Sequence, residues 1–264
     1  MTTRRCLVLW LFLTVVLSGC GRDNPKEPET ARDPLPAPAR SATVETPRIR
    51  FIERITGAPS NDANEKLPLV IAIHGLGDNP ESFLRIFDGF SAHARLVLPY
   101  GLEPSGNGFS WFPISRMDPR VLADGTERAS RALAILIEEL MRTRPTQGQP
   151  IVTGFSQGGM LSFTLAVLFP ERVGEAFPVA GLLAPPLYPS SWPMGKLMPP
   201  IHALHGDADT LVPTQSGRET VKTLVALGFT ADLKEYPGVG HTVSAAMRRD
   251  LLTLLAEAVA RQSR

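Results

Sequence analysis

Short, continuously apolar runs alternate along most of the chain with longer segments whose apolar residues recur at helical spacing. Leu69 to Ile73 (LVIAI), Leu96 to Pro99, Ile151 to Gly154, Ala176 to Ala180 and Ile201 to Leu204 are brief, and several are rich in Val and Ile. Such runs, apolar at every position, suit strands covered on both faces. Leu233 to Tyr236 adds a further strand, and Ile49 to Ile55 an edge strand. Helices are expected between them. Asn79-Pro80-Glu81 is a helix start, a capping residue followed by Pro at the first helical position. Ala129, Leu133, Leu136 and Leu140 keep helical spacing in a polar segment, and Leu251, Leu255 and Ala258 do so near the C-terminus. Alternating strand and helix predicts the α/β class, a mostly parallel central sheet flanked by helices on both faces. Periodicity carries the reading no further.

The first residues break this pattern. Arg4 and Arg5 precede an apolar stretch, Leu7 to Leu17, that ends in Leu17-Ser18-Gly19-Cys20. A bilayer-spanning helix needs roughly 20 apolar residues, so the stretch has the length and flanks of a secretory signal peptide instead. Its ending resembles the lipobox of bacterial lipoproteins, in which cleavage before the cysteine leaves Cys20 lipidated. A plain signal peptide or an uncleaved anchor is the alternative. By the same resemblance, Gly21 after the cysteine favours the outer membrane. From Gly21 to about Arg48 the chain is rich in Pro, charged and small residues and cannot bury enough surface to order itself. The expected organisation is a signal peptide over 1–19, a lipidated cysteine and Pro-rich tether over 20–47, and a folded domain over 48–264.

Composition narrows the partners. A chain of 264 residues, 43% hydrophobic and 20% charged, can bury one large α/β core. A net charge of +1, without a local Lys/Arg cluster, gives no field that would draw nucleic acid. The two cysteines are Cys6 and Cys20, so a processed, exported domain would carry no disulfide.

The strongest local signal is Gly154-Phe155-Ser156-Gln157-Gly158, a G-x-S-x-G turn with a strand before it and an expected helix, about Gly159 to Phe169, after it. Glycines are needed there because the serine occupies a strained turn where neighbouring side chains would clash. A serine needs a base to become a nucleophile. Where this turn carries a nucleophile, the acid and then the histidine follow it in the chain, the histidine after the last strand. Of the five histidines, His202, His205 and His241 follow Ser156. His202 lies within a strand run, and His205 precedes every acidic candidate there. His241, in the loop Pro237-Gly238-Val239-Gly240-His241, is assigned as the base. In His205-Gly206-Asp207-Ala208-Asp209 two aspartates compete for the acid. Asp209 is preferred, and Asp207 is expected to shape the loop by bonding backbone N–H groups. His74-Gly75-Leu76-Gly77, after the first strongly apolar strand, would supply one oxyanion donor, the Leu76 N–H, and the turn would supply the other, the Gln157 N–H. His74 precedes the nucleophile and is read as a brace for its loop.

His74-Gly75-Leu76-Gly77-Asp78, Gly154-Phe155-Ser156-Gln157-Gly158-Gly159, His205 to Pro213 and Gly240-His241 together resemble the phospholipase/carboxylesterase family, which includes acyl-protein thioesterases. Ser110-Trp111-Phe112 looks like that family's tryptophan-phenylalanine step, with Pro113 in place of the usual aspartate. The similarity covers roughly Pro68 to Thr242. It implies an α/β-hydrolase fold and hydrolysis of small-molecule esters or thioesters of short to medium acyl chains without metal or organic cofactor. The substitution at Pro113 and the exported address argue against a cytosolic type of protein deacylase. Trp111 and Phe112 are candidate pocket residues or plain core. Leu182 to Pro200 is a Pro-rich connection that would form a pocket rim with Leu187 and Trp192, or a rigid surface loop. No metal-ligand spacing or P-loop is present. The competing readings are a secreted lipase, polyester depolymerase or feruloyl-type esterase on the same scaffold, and a surface binding protein that has lost catalysis.

Overall fold

A computed structural model of the chain describes residues 48–57, 64–114, 118–191 and 198–264. The expectations for the signal peptide, Cys20, the tether and Trp192 lie outside the described residues.

Seven strands form the central sheet: β1 (Phe51–Ile55), β2 (Leu69–Ile73), β3 (Arg95–Pro99), β6 (Ile151–Phe155), β7 (Glu175–Val179), β8 (Ile201–Gly206) and β9 (Ala231–Tyr236). Their spatial order is β1-β3-β2-β6-β7-β8-β9. Only β1 runs antiparallel to its neighbour; every other pairing is parallel. Each apolar run in the sequence became a strand, with ends shifted by one or a few residues. β8 extends two residues past Leu204, which brings His205 into the strand.

Successive residues of a strand face opposite sides of its sheet. Ile71 and Ile73 therefore join one core, with Leu133, Ile137 and Leu140 of α2 (Pro119–Thr143) and Phe163 of α3 (Gln157–Leu168). Val70 and Ala72 join the other, with Leu96, Leu98, Phe177 and the Leu251 and Leu255 side chains of α5 (Ala245–Gln262). The start at Asn79 is a true cap: its side chain accepts from the Ser82 N–H at 2.9 Å. The helix it opens is a single turn, α1 (Pro80–Phe83), which continues as a 3-10 turn over Leu84–Phe87.

Two elements have no counterpart in the hydrophobic pattern. Helix α4 (Thr214–Ala226) turns Thr214, Gly217, Thr220 and Leu224 inward, so a face with one large apolar residue carries almost no periodic signal. The hairpin β4 (Glu103–Ser105) and β5 (Gly108–Ser110) has strands too short to show alternation. Its Phe109 backbone exchanges hydrogen bonds with the loop after β2, Gly77 N–H to Phe109 O and Phe109 N–H to Asp78 O, both at 2.8 Å. Loops at the C-terminal ends of β2, β6, β8 and β9 thus share one edge of the sheet, where parallel α/β sheets bind ligands.

Candidate active site

Ser156 is the single residue between β6 and α3, with φ 58° and ψ −113°, a strained conformation for a residue with a Cβ. Backbone bonds hold it there. Its N–H donates to Val179 O at 2.9 Å, and its carbonyl accepts from Met160 N–H at 3.0 Å. The glycines around it are fixed by contact. A Cβ on Gly158 would lie 1.9 Å from Ile73 O, one on Gly154 2.5 Å from the Gly158 carbonyl, and one on Gly159 2.4 Å from Val179 O. The turn is wedged between two strands, and its side chain projects from a rigid base.

His241 reaches this serine from the loop after β9. Its Nε2 accepts from the Ser156 hydroxyl at 2.9 Å, and its Nδ1–H donates to Asp209 Oδ2 at 2.7 Å. The ring lies 4.8 Å from that of Phe155. Two contacts from the loop after β8 set the histidine loop in place. Asp207 Oδ1 accepts from the Gly238 N–H at 2.6 Å, and the Ala208 N–H donates to Val239 O at 3.0 Å. Asp207 therefore shapes the loop of the neighbouring strand, by bonding backbone N–H as the sequence suggested.

Asp209 is buried, and its Oδ1 accepts from the Leu211 and Val212 N–H groups, each at 2.9 Å. Burial alone would raise this carboxyl, but the hydrogen bonds from His241, Val212 and Leu211 together outweigh it and hold the group below the usual carboxylate range. It is a fixed anion behind the imidazole. His205, which sequence reasoning set aside, lies 3.3 Å from Asp209 Oδ2 through its Nε2. That nitrogen also donates to Val212 O at 2.9 Å. In the sequence it stands four residues before Asp209, at the head of the stretch that ends at Pro213.

The loop after β2 comes up beside the serine: a Cβ on Gly75 would sit 3.3 Å from Ser156 Cβ. Among the described residues the Leu76 N–H, in the turn after β2, and the Gln157 N–H, the first amide of α3, donate to no backbone carbonyl. His74 braces the loop. Its Nδ1–H donates to Gly75 O at 2.7 Å and its Nε2 accepts from Gly101 N–H at 3.1 Å, an arrangement that needs a neutral ring. Burial pushes its pKa down, against weaker upward pulls.

Trp111 and Phe112 are fully buried and present no surface to a ligand. Trp111 Nε1–H donates to His74 O at 3.0 Å. The Gln157 side chain clamps the same segment, accepting from Trp111 N–H at 3.0 Å and donating to Phe112 O at 2.8 Å. The structure places both aromatics beneath the site, as its support. An open cleft of about 350 Å³ lies beside His241, walled by Phe83, Ile86, Phe155 and Val243, with Asp78 and Arg85 at its polar side. A larger cavity of about 900 Å³ flanks the opposite, N-terminal ends of the strands and holds none of these residues. Among the described residues no group of three or more His, Cys, Asp or Glu side chains is arranged to hold a metal ion.

Comparison with known proteins bears on the family and the fold. Residues 59–258 match the family model described as phospholipase/carboxylesterase. Acyl-protein thioesterase 1 of Kluyveromyces lactis is 29% identical over 210 residues, which cover 72% of this chain and 92% of that protein. Among solved structures, esterase PE8 superposes with a TM-score of 0.68 at 23% identity, covering 80% of this chain and 99% of its own. Acyl-protein thioesterase 2 of Zea mays does so with a TM-score of 0.65 at 18% identity, over 80% of this chain and 99% of its own.

Proposed function

The chain belongs to the phospholipase/carboxylesterase family of α/β hydrolases, and from that premise we propose that it is a serine hydrolase of carboxylic esters of short to medium acyl chains. The observation that carries this reading is the unbroken hydrogen-bonded chain from the Ser156 hydroxyl through His241 to Asp209. Ser156 Oγ attacks the carbonyl carbon while His241 Nε2 takes its proton, and the Asp209 carboxylate stabilises the imidazolium that forms. The oxyanion is held by the Leu76 and Gln157 N–H groups. His241 then returns the proton to the leaving alcohol. Water, deprotonated by His241, cleaves the acyl-enzyme and restores the serine. A thioester enters the same sequence with a thiol as leaving group, and the likeness to an acyl-protein thioesterase keeps that substrate class in view.

The test is hydrolysis of p-nitrophenyl esters of increasing chain length by the full-length chain, beside fluorophosphonate labelling. Ser156→Ala should lower kcat by on the order of 10⁴–10⁶ and abolish labelling. Activity that survives the substitution would refute the mechanism. A folded chain with neither turnover nor labelling would instead indicate a binding protein. The site of action is proposed to be a bacterial membrane surface, with the lipid anchor at Cys20 suggested by the Leu17-Ser18-Gly19-Cys20 sequence. Cys20→Ala should then lose palmitate labelling; unchanged labelling would exclude the anchor.

A further inference from the structure

Asp209 lies between two imidazoles. His241 donates to its Oδ2 on the side facing Ser156, and His205 Nε2 stands 3.3 Å from the same oxygen on the buried side. The His205 side chain is 1% exposed and that of Asp209 is not exposed at all. Both neighbours of His205 Nε2, the Val212 carbonyl and the carboxylate, are acceptors, so this nitrogen carries the proton. Its bond to Val212 O closes a ring: the Val212 N–H holds Asp209 Oδ1, while the Val212 carbonyl is held by His205. Space for the ring comes from α4. A Cβ on Gly217 would sit 2.9 Å from His205 Nδ1, so glycine there leaves the imidazole its room against the helix.

We propose that His205 is a positioning residue for the acid of the triad: its Nε2–H fixes the Leu211-Val212 backbone that grips Asp209 and aims the carboxylate at His241. The proposal rests on the assignment of Ser156, His241 and Asp209. Its chemistry is a hydrogen bond and a dipole, and no proton leaves His205 during turnover. A group that holds a catalytic acid in line should affect kcat more than KM, because imidazolium forms on the way to the transition state.

The experiment compares His205→Phe, which keeps a ring without the donor, with His205→Gln, whose amide N–H can reach the same carbonyl. In the full-length chain His205→Phe should lower kcat about tenfold, the worth of one buried hydrogen bond, with KM changed less than about twofold. His205→Gln should restore most of that loss. Gly217→Ala supplies an independent arm: it improves helix propensity but forces a methyl group against Nδ1, so kcat should fall while the two opposing effects leave the thermal midpoint little changed. In an Asp209→Ala background, His205→Phe should cost almost nothing further, because its effect runs through the missing carboxylate. Full kcat in His205→Phe with Ser156 dependence intact overturns the proposal alone, as does an additive loss in the double variant. Should His205→Phe not fold, an unchanged kcat in Gly217→Ala overturns it. Turnover that persists in Ser156→Ala overturns the triad and this inference together.

Discussion

Two glycine-containing turns leave neighbouring parallel strands at the same edge of the sheet and meet at Ser156, yet they are built on different principles. The turn after β6 is packed backbone to backbone. Gly154, Gly158 and Gly159 each stand where a methyl group would meet a carbonyl at 2.5 Å or less. The loop after β2 is open. Gly77, at φ +75°, has nothing within 4 Å of where its Cβ would be, and Leu76 beside it is 49% exposed. One turn is rigid because it has no free volume. The other is held by a few directed bonds, to Phe109 and through His74; its Gly77 answers a backbone need, while Gly75 stands where a Cβ would crowd Phe155 and Ser156. A residue with a side chain held at a strained φ is served by the first arrangement, and a loop whose Leu76 N–H is left without a backbone acceptor by the second.

Paired alanine substitutions would break this comparison most directly. Gly158→Ala places its methyl 1.9 Å from Ile73 O, with the Ile73 carbonyl carbon at 2.7 Å and His74 O at 3.0 Å. No side chain can swing away, so the strands must part. The expected cost is about 3 kcal/mol or more by urea unfolding, with loss of fluorophosphonate labelling. Gly77→Ala meets no atom and costs only the left-handed backbone, about 1–2 kcal/mol. Labelling should persist there. Equal losses at the two glycines would mean that the turns are not constructed differently.

The fold and the site were legible to different depths, for physical reasons. β2, β3, β6 and β7 are buried along their whole length or nearly so, and their composition announces it. α4 is silent because threonine and glycine line its inner face, and its one glycine, Gly217, makes room for His205. That Ser156, Asp209 and His241 come together was readable from local motifs and their order in the chain. His205 was not, because its relation to Asp209 depends on how the loop after β8 folds back on the strand. Trp111 and Phe112 show the opposite difficulty. An aromatic pair near a site fits a pocket wall and a buried support equally well in sequence, and only their full burial separates the two.

The finest distinction between the two turns lies in the protonation of the open one. His74 donates from Nδ1 and accepts at Nε2, so a second proton would point an N–H at the N–H of Gly101. Its pKa is depressed by burial, so the unfolded chain binds the proton first. As pH drops through the ordinary histidine value of about 6.5, the unfolded state gains a proton that the folded state refuses, and stability declines until the folded pKa is reached. One proton is worth at most about 1.4 kcal/mol per pH unit. Urea midpoints at pH 7.5 and 5.5 should therefore fall in the wild-type chain more than in His74→Gln, which has no proton to gain. The variant begins from a lower midpoint, having lost the geometry of the ring, so the informative quantity is the difference in slope. Parallel slopes would mean that the folded chain accepts the proton as readily as the unfolded one. The Phe109 backbone bonds would then be the next to test, with Phe109→Pro, which removes the N–H that donates to Asp78 O.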